Sequence, residues 1–224
     1  MNYLSHGYRF LDRPLFMAGT VVPDWLSVVN RKVRARTRLV KPIVETTEDV
    51  DVREVGRGIL QHHHDDAIFH AHPLFMELEG IVGAEFRTIM PDRYDHRPGF
   101  LGHIVIELML DAVLAENNPS LLDDFYATMN KVDAAAVQSA VNQMATRTTD
   151  RLAWFIDRFR EVRFLYDYAT DEGMSYRLNQ VLQRVKPPPM PTGAIEVLAK
   201  TRTLIRQRGE LLLQFVAEAT PRQT

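Results

Sequence analysis

Apolar residues recur three and four positions apart along almost the whole chain, and the strict alternation of a half-buried strand is rare. Asn-Gly and Asp-Gly hairpin dipeptides are missing. The pattern predicts an all-α fold. Met1 to Val29 reads as short helices broken at Pro14 and Pro23, with Pro23 opening a helix and Asp24 in its first turn. Asn30–Lys41, "NRKVRARTRLVK", reads as a basic connector. Thr46 or Thr47 is placed to cap a helix from about Glu48 to Ala71, which Pro73 stops, and a further helix spans Leu74–Thr88.

A loop, "MPDRYDHRPG", follows. The next segment, Phe100–Glu116, is apolar nearly all round and should be central and buried. Pro119 opens a long helical stretch to Ala145, and Arg151–Tyr168 and Met174–Val185 continue the pattern. "KPPPMP" is a rigid break, followed by an amphipathic last helix over Thr192–Ala217. The expected organisation is a single all-helical domain: residues 1–117 as a metal-site half, 118–186 as scaffold, and 192–218 as a docking helix too short for a core of its own.

Composition narrows the chemistry. The 224 residues are 46% hydrophobic and 25% charged, enough for a core without covalent staples. The 27 basic and 29 acidic side chains nearly cancel, so nucleic acid is not an expected partner. Cysteine is absent, which excludes disulfides and thiolate zinc sites and fits a reducing, cytoplasmic setting. Any metal must sit on histidine and carboxylate, a ligand set suited to Zn, Mn, Fe or Mg. The first residues carry charge and no apolar signal region, and no run approaches the length expected of a membrane span.

The polar residues that interrupt the apolar stripes carry the chemistry. Val52, Val55 and Ile59 form a stripe that continues through His62 to Asp66. A buried aspartate is costly unless paired, and a cation shared with His62 removes that cost; a buried hydrogen-bonded pair is the alternative. His63, His64 and Asp65 read as solvated. His70 and His72 flank the helix end, and His72 reaches back only through the break at Pro73. On the apolar segment, His103, Glu107 and Asp111 lie four apart on one stripe. Asp111 is as well suited to an arginine partner. Together the two helices offer two imidazoles and two carboxylates, enough for one or two divalent ions. All eight histidines fall between positions 6 and 103, so the chemistry is expected in the first half. His6 and Asp24 are further candidates.

"MNYLSH", "AGTVVPDW" and "GILQHHHDDAIFHAHP" together resemble the bacterial acyl-carrier-protein phosphodiesterases. That resemblance implies an all-helical enzyme. It would use a divalent cation, typically Mn, to cut the phosphodiester joining phosphopantetheine to a serine of the carrier protein. It carries the metal role onto His6, Asp24, His62 and Asp66, and onto His103 on the next core helix. A looser likeness, through His62, Asp66, His72, His103 and Glu107, is to the zinc-dependent phospholipase C and P1-type nucleases. Both imply hydrolysis of a phosphate ester, with acyl carrier protein as the candidate partner. Glu107 or His72 would serve as general base, and Arg31, Lys32 and Arg34, with Arg36 and Arg38, as a phosphate or acidic-protein contact or else a solvated loop. Two other classes stay open. A redox di-metal bundle would favour Glu-x-x-His pairs three apart, and a non-enzymatic helical module would pair its polar stripes internally.

Overall fold

The computed structural model describes residues 1–90, 97–185 and 190–220. The expected loop at 90–99 and the "KPPPMP" break fall largely outside them. Among the described residues the chain is all-α, without a strand. The helices are α1 (Tyr3–Gly7), α2 (Pro14–Val29), α3 (Thr37–Thr46), α4 (Val50–Ala71), α5 (Pro73–Ile89), α6 (Arg97–Asn117), α7 (Leu121–Met129), α8 (Ala134–Met144), α9 (Leu152–Val162), α10 (Asp171–Val185) and α11 (Ala194–Ala219). Short 3₁₀ turns cover Tyr8–Phe10 and Phe164–Ala169.

Contacts gather these elements into two compact units. One comprises Asn2–Ala67 and Ser120–Arg163; the other comprises Met1, Ile68–Pro119 and Phe164–Thr224. Each unit is assembled from stretches of chain far apart in sequence, so neither coincides with the segments 1–117, 118–186 and 192–218.

In the first unit, α2 begins at Pro14, whose fixed φ suits a first turn. Pro23 does not open a helix as the sequence suggested; it lies inside α2. A proline has no N–H to return to the carbonyl one turn back, and this normally breaks a helix. Here Met17, Ala18, Val21, Val22, Trp25 and Leu26 are all buried, and that packing outweighs the lost bond. Trp25 and Tyr3 both lie 5.4 Å from the Phe159 ring of α9, and Tyr126 of α7 lies 5.6 Å from it. The supposed basic connector is in part helical, since α3 starts at Thr37. The cap of α4 is Asp49 rather than Thr46 or Thr47: its carboxylate accepts the Asp51 and Val52 amides at 2.9 and 3.1 Å. The stretch after Pro119 is two helices, the second capped by Asp133, which accepts the amides of Ala135 and Ala136. Arg163 ends α9 in the left-handed region at φ 48°, dividing the helix expected over Arg151–Tyr168.

In the second unit, α5 and α6 run against each other through Gly83 and Gly102. A Cβ on Gly102 would stand 2.7 Å from the Glu79 carbonyl and 2.9 Å from the Gly83 amide nitrogen, so neither helix could come as close with a larger residue there. Helix α11 lies along both: Lys200 and Arg208 donate to Glu85 and Glu77 of α5, and Arg206 to Glu116 of α6. By length and composition α6 does reach membrane-spanning size, with 21 residues and an 18-residue stretch of mean hydropathy 1.6, contrary to the sequence expectation. Most of its apolar face, including Leu101, Val105, Ile106 and Met109, is buried against its neighbours.

Candidate metal centre

The stripe Val52–Val55–Ile59 is fully buried and carries His62 inward with it. Helices α2 and α4 cross with almost no separation. A Cβ on Gly58 would fall 2.1 Å from the Phe16 carbonyl and 2.8 Å from Gly19 Cα, and one on Gly19 would fall 2.3 Å from the Val55 carbonyl. This approach lets a backbone carbonyl of α2 meet a side chain of α4. His62 Nδ1 lies 2.8 Å from the Thr20 carbonyl oxygen. A carbonyl only accepts, so Nδ1 carries a hydrogen, and Nε2 is the nitrogen left to face Asp66 with either a proton or a cation between them. That is the outer-shell arrangement by which proteins fix the tautomer of a ligating imidazole.

Asp66, one turn on, faces the free edge of His62 and is met by His6 from α1. Asp66 Oδ2 is 3.2 Å from His62 Nε2, and Oδ1 is 3.2 Å from His6 Nε2. The two imidazoles stack with centroids 3.9 Å apart. One ligand atom from each of His6, His62 and Asp66 lies within 4.8 Å of the others. Both nitrogens of His6 are buried without an aligned hydrogen bond. A buried polar atom left in that state is what a cation would satisfy. The side chains of His6 and His62 are 0% and 5% exposed, whereas Asp66 is 28% exposed, so the group opens on the carboxylate side.

Electrostatics follow from this burial. Desolvation, with the neighbouring His62, takes His6 down to about 3, so its imidazole is neutral at neutral pH. Burial opposes charge on His62 as well, yet the hydrogen bond to Asp66 and the charge of Asp24 raise its proton affinity overall. Burial alone would raise Asp66; the charges and hydrogen bonds of the surrounding positive groups, His6 and His62 among them, hold it far below the ordinary carboxylate range.

A second group forms at the other end of α4. His70 Nε2 is 2.9 Å and His103 Nε2 3.4 Å from the same oxygen, Glu107 Oε1. His103 Nδ1 faces Glu79 Oε1 at 3.1 Å. The Met1 amino nitrogen also lies 3.0 Å from Glu107 Oε1. The hydrogen bond to Glu107 leads in raising His103, and Glu107, despite its burial, is pulled below the usual range by the positive groups around it.

The structure therefore sorts the sequence candidates. His6, His62 and Asp66 come together. Asp24, on α2, stands outside that group, with its charge acting on His62. His103 and Glu107 group with His70 instead. His72 caps α5, its Nδ1 accepting the Leu74 amide at 3.1 Å, and its ring packs on Phe215. Arg31, Lys32 and Arg34 are exposed, and their segment is held to the turn after α8 by Arg34 N–H to Thr146 Oγ1 at 3.0 Å and Thr146 N–H to the Arg34 carbonyl at 2.9 Å. Of the three residues read as solvated, only His64 is exposed. Asp65 is buried and accepts from Gln61 at 2.7 Å, and half-buried His63 donates to the Ala35 carbonyl at 2.8 Å. Asp111 is fully buried. The sequence reading missed Glu79 and the Thr20 carbonyl. A backbone acceptor has no residue signature, and the only trace of either contact is the glycines that permit the helix approach.

No curated protein and no solved structure matches this chain. A family model described as acyl carrier protein phosphodiesterase matches residues 1–214, nearly the full length and both candidate groups. That match agrees with the motifs around His6, Asp24 and His62, and the chain belongs to the acyl carrier protein phosphodiesterase family.

Proposed function

We propose that this protein is a divalent-metal-dependent phosphodiesterase whose centre is built on His6, His62 and Asp66, with Asp24 as an adjoining carboxylate. The observation that carries the reading is the grouping of two imidazoles and a carboxylate within 4.8 Å, one imidazole held in a fixed tautomer by Thr20. Two imidazoles with carboxylate suit Mn, Zn or Fe better than Mg. A divalent ion held there would supply Lewis acidity to the phosphoryl oxygens and lower the pKa of a water near neutral pH.

The chain's own residues do the rest. His6 stays neutral and presents a lone pair. Thr20 holds His62 against rotation. Asp66, ionised at all physiological pH, balances positive charge at the site. The reaction is hydrolysis: water adds to phosphorus, the P–O bond to the carrier-protein serine breaks, and that serine oxygen leaves with a proton. The products are the unmodified carrier protein and phosphopantetheine. The exposed Arg31–Lys32–Arg34 strip, ordered by Thr146 and in the same compact unit, would complement an acidic surface on the carrier protein. The lack of cysteine fits a reducing compartment, and the cytoplasm is the proposed setting.

The test is release of unmodified carrier from phosphopantetheinyl carrier protein, read by intact mass, in EDTA-treated protein with Mn, Zn, Fe or Mg restored. Metal-dependent conversion is expected. No conversion with any ion would overturn the reading.

A further inference from the structure

We propose that His70, His103 and Glu107 form a second divalent transition-metal site, with its own ligands, and that Glu79 orients it. The starting point is one oxygen, Glu107 Oε1, approached by His70 Nε2 at 2.9 Å and by His103 Nε2 at 3.4 Å. Imidazole and carboxylate lone pairs repel, so a proton or a cation must lie between each nitrogen and the oxygen. The ligand atoms of the three residues are within 4.8 Å of one another, close enough to close on a single ion.

The surroundings match those of a ligating histidine. His103 Nδ1–H donates to Glu79 Oε1 at 3.1 Å, which turns Nε2 toward Glu107 and makes it more basic. That carboxylate–imidazole pairing depends on the contact of α5 with α6 at Gly83 and Gly102, the turn next to both residues. The His70 and His103 rings lie nearly parallel, with centroids 4.8 Å apart and 20° between planes, and Phe75 packs edge-on against both. Their relative position is thus set by packing as well as by the carboxylate. The side chains of His70 and His103 are 32% and 38% exposed, which leaves a path for an ion. Two imidazoles and one carboxylate suit Zn, Co, Fe or Mn, and poorly suit Mg or Ca. The Met1 amino nitrogen, 3.0 Å from the same oxygen, is the positive group with which the ion would share or exchange that contact.

The test is equilibrium dialysis of EDTA-treated full-length protein against Co(II), with the visible spectrum recorded at each step. Two equivalents are expected in the parent chain. His62→Ala should retain one, His103→Ala should retain one with a different spectrum, and the double variant none. Glu79→Gln keeps side-chain shape and should weaken the second equivalent by ~10–100-fold. Circular dichroism melts establish that each variant is folded; if His103→Ala is not, Glu79→Gln decides. The proposal is overturned if His103→Ala and Glu79→Gln bind Co(II) with the parent's stoichiometry and affinity. A single equivalent lost only in His62→Ala would overturn this site and leave the proposed catalytic centre standing. A single equivalent lost only in His103→Ala would do the reverse.

Discussion

Gly19 of α2 and Gly58 of α4 meet backbone to backbone: a Cβ added to Gly58 would lie 2.8 Å from Gly19 Cα and 2.8 Å from the Thr20 nitrogen. The contact is the reason the Thr20 carbonyl reaches His62 Nδ1 at 2.8 Å. Gly58→Ala must push the helices apart, because the obstacle is backbone and cannot rotate away. We expect a loss of about 1–3 kcal/mol in urea unfolding, typical of overpacking. Weaker metal binding at His62 should accompany it. Gly80→Ala is the control, since nothing lies within 4 Å of a Cβ there, and it should not destabilise.

His62→Ala and Asp66→Ala should each lower kcat/KM for carrier-protein hydrolysis by more than ~100-fold, beyond the ~10–100-fold typical of outer-shell changes. His64→Ala, two residues from both His62 and Asp66 but on the exposed side of the helix, should stay within about twofold of the parent, as a surface change does. Steady-state kinetics on the three variants check this. Equal losses in all three would mean that the helix as a whole, not its inner face, matters.

Stability of the metal-free protein should fall with acid in a way that His6 sets. Its folded pKa is lowered from 6.5 to about 3. The unfolded chain therefore takes up a proton below 6.5 that the folded chain refuses, and stability rises with pH across that window. Asp66, also lowered, adds a loss as pH falls below the ordinary aspartate range, whereas raised His62 acts in the opposite sense, its contribution fading as pH rises above the ordinary histidine value. Between pH 6.5 and 4.5 the His6 contribution amounts to about 2 kcal/mol at ~1.4 kcal/mol per pH unit. Urea unfolding of EDTA-treated His6→Gln at both pH values should show that difference largely removed. An unchanged pH dependence would show that His6 is not the neutral buried group described above.

Reversing the charge of Arg31, Lys32 and Arg34 to glutamate should reduce kcat/KM for carrier protein by about tenfold or more at low salt, with the gap narrowing as salt is raised. The same triple variant should hydrolyse a small diester that carries no protein surface, such as bis-p-nitrophenyl phosphate, like the parent. A parallel loss on both substrates would locate the effect in the centre rather than in docking.

Much of the fold is local information, and the sequence carries it openly. The three- and four-residue spacing marked the helices, and the buried stripe Val52–Val55–Ile59 correctly sent His62 inward. Glu107 and His103 stood out as polar residues on an apolar helix. What failed failed for nonlocal reasons. Pro23 looked like a helix start because a proline's cost is local, while the burial of Val22, Trp25 and Leu26 that overrides it comes from other helices. His72 looked like a base, and Asp65 looked solvated, because the amide of Leu74 and the side chain of Gln61 compete for them in ways that spacing does not display.

By itself, then, the sequence determined that the chain is helical, that any metal it holds must sit on imidazole and carboxylate, and which i, i+4 pairs share a helical face. Only the tertiary structure decided which pairs meet. It joined His62 and Asp66 to His6, and His103 and Glu107 to His70, with Thr20 and Glu79 as the outer partners. The reason is physical: helical periodicity acts over one or two turns of a single segment, whereas the company a side chain keeps is set where two backbones come within glycine distance of each other.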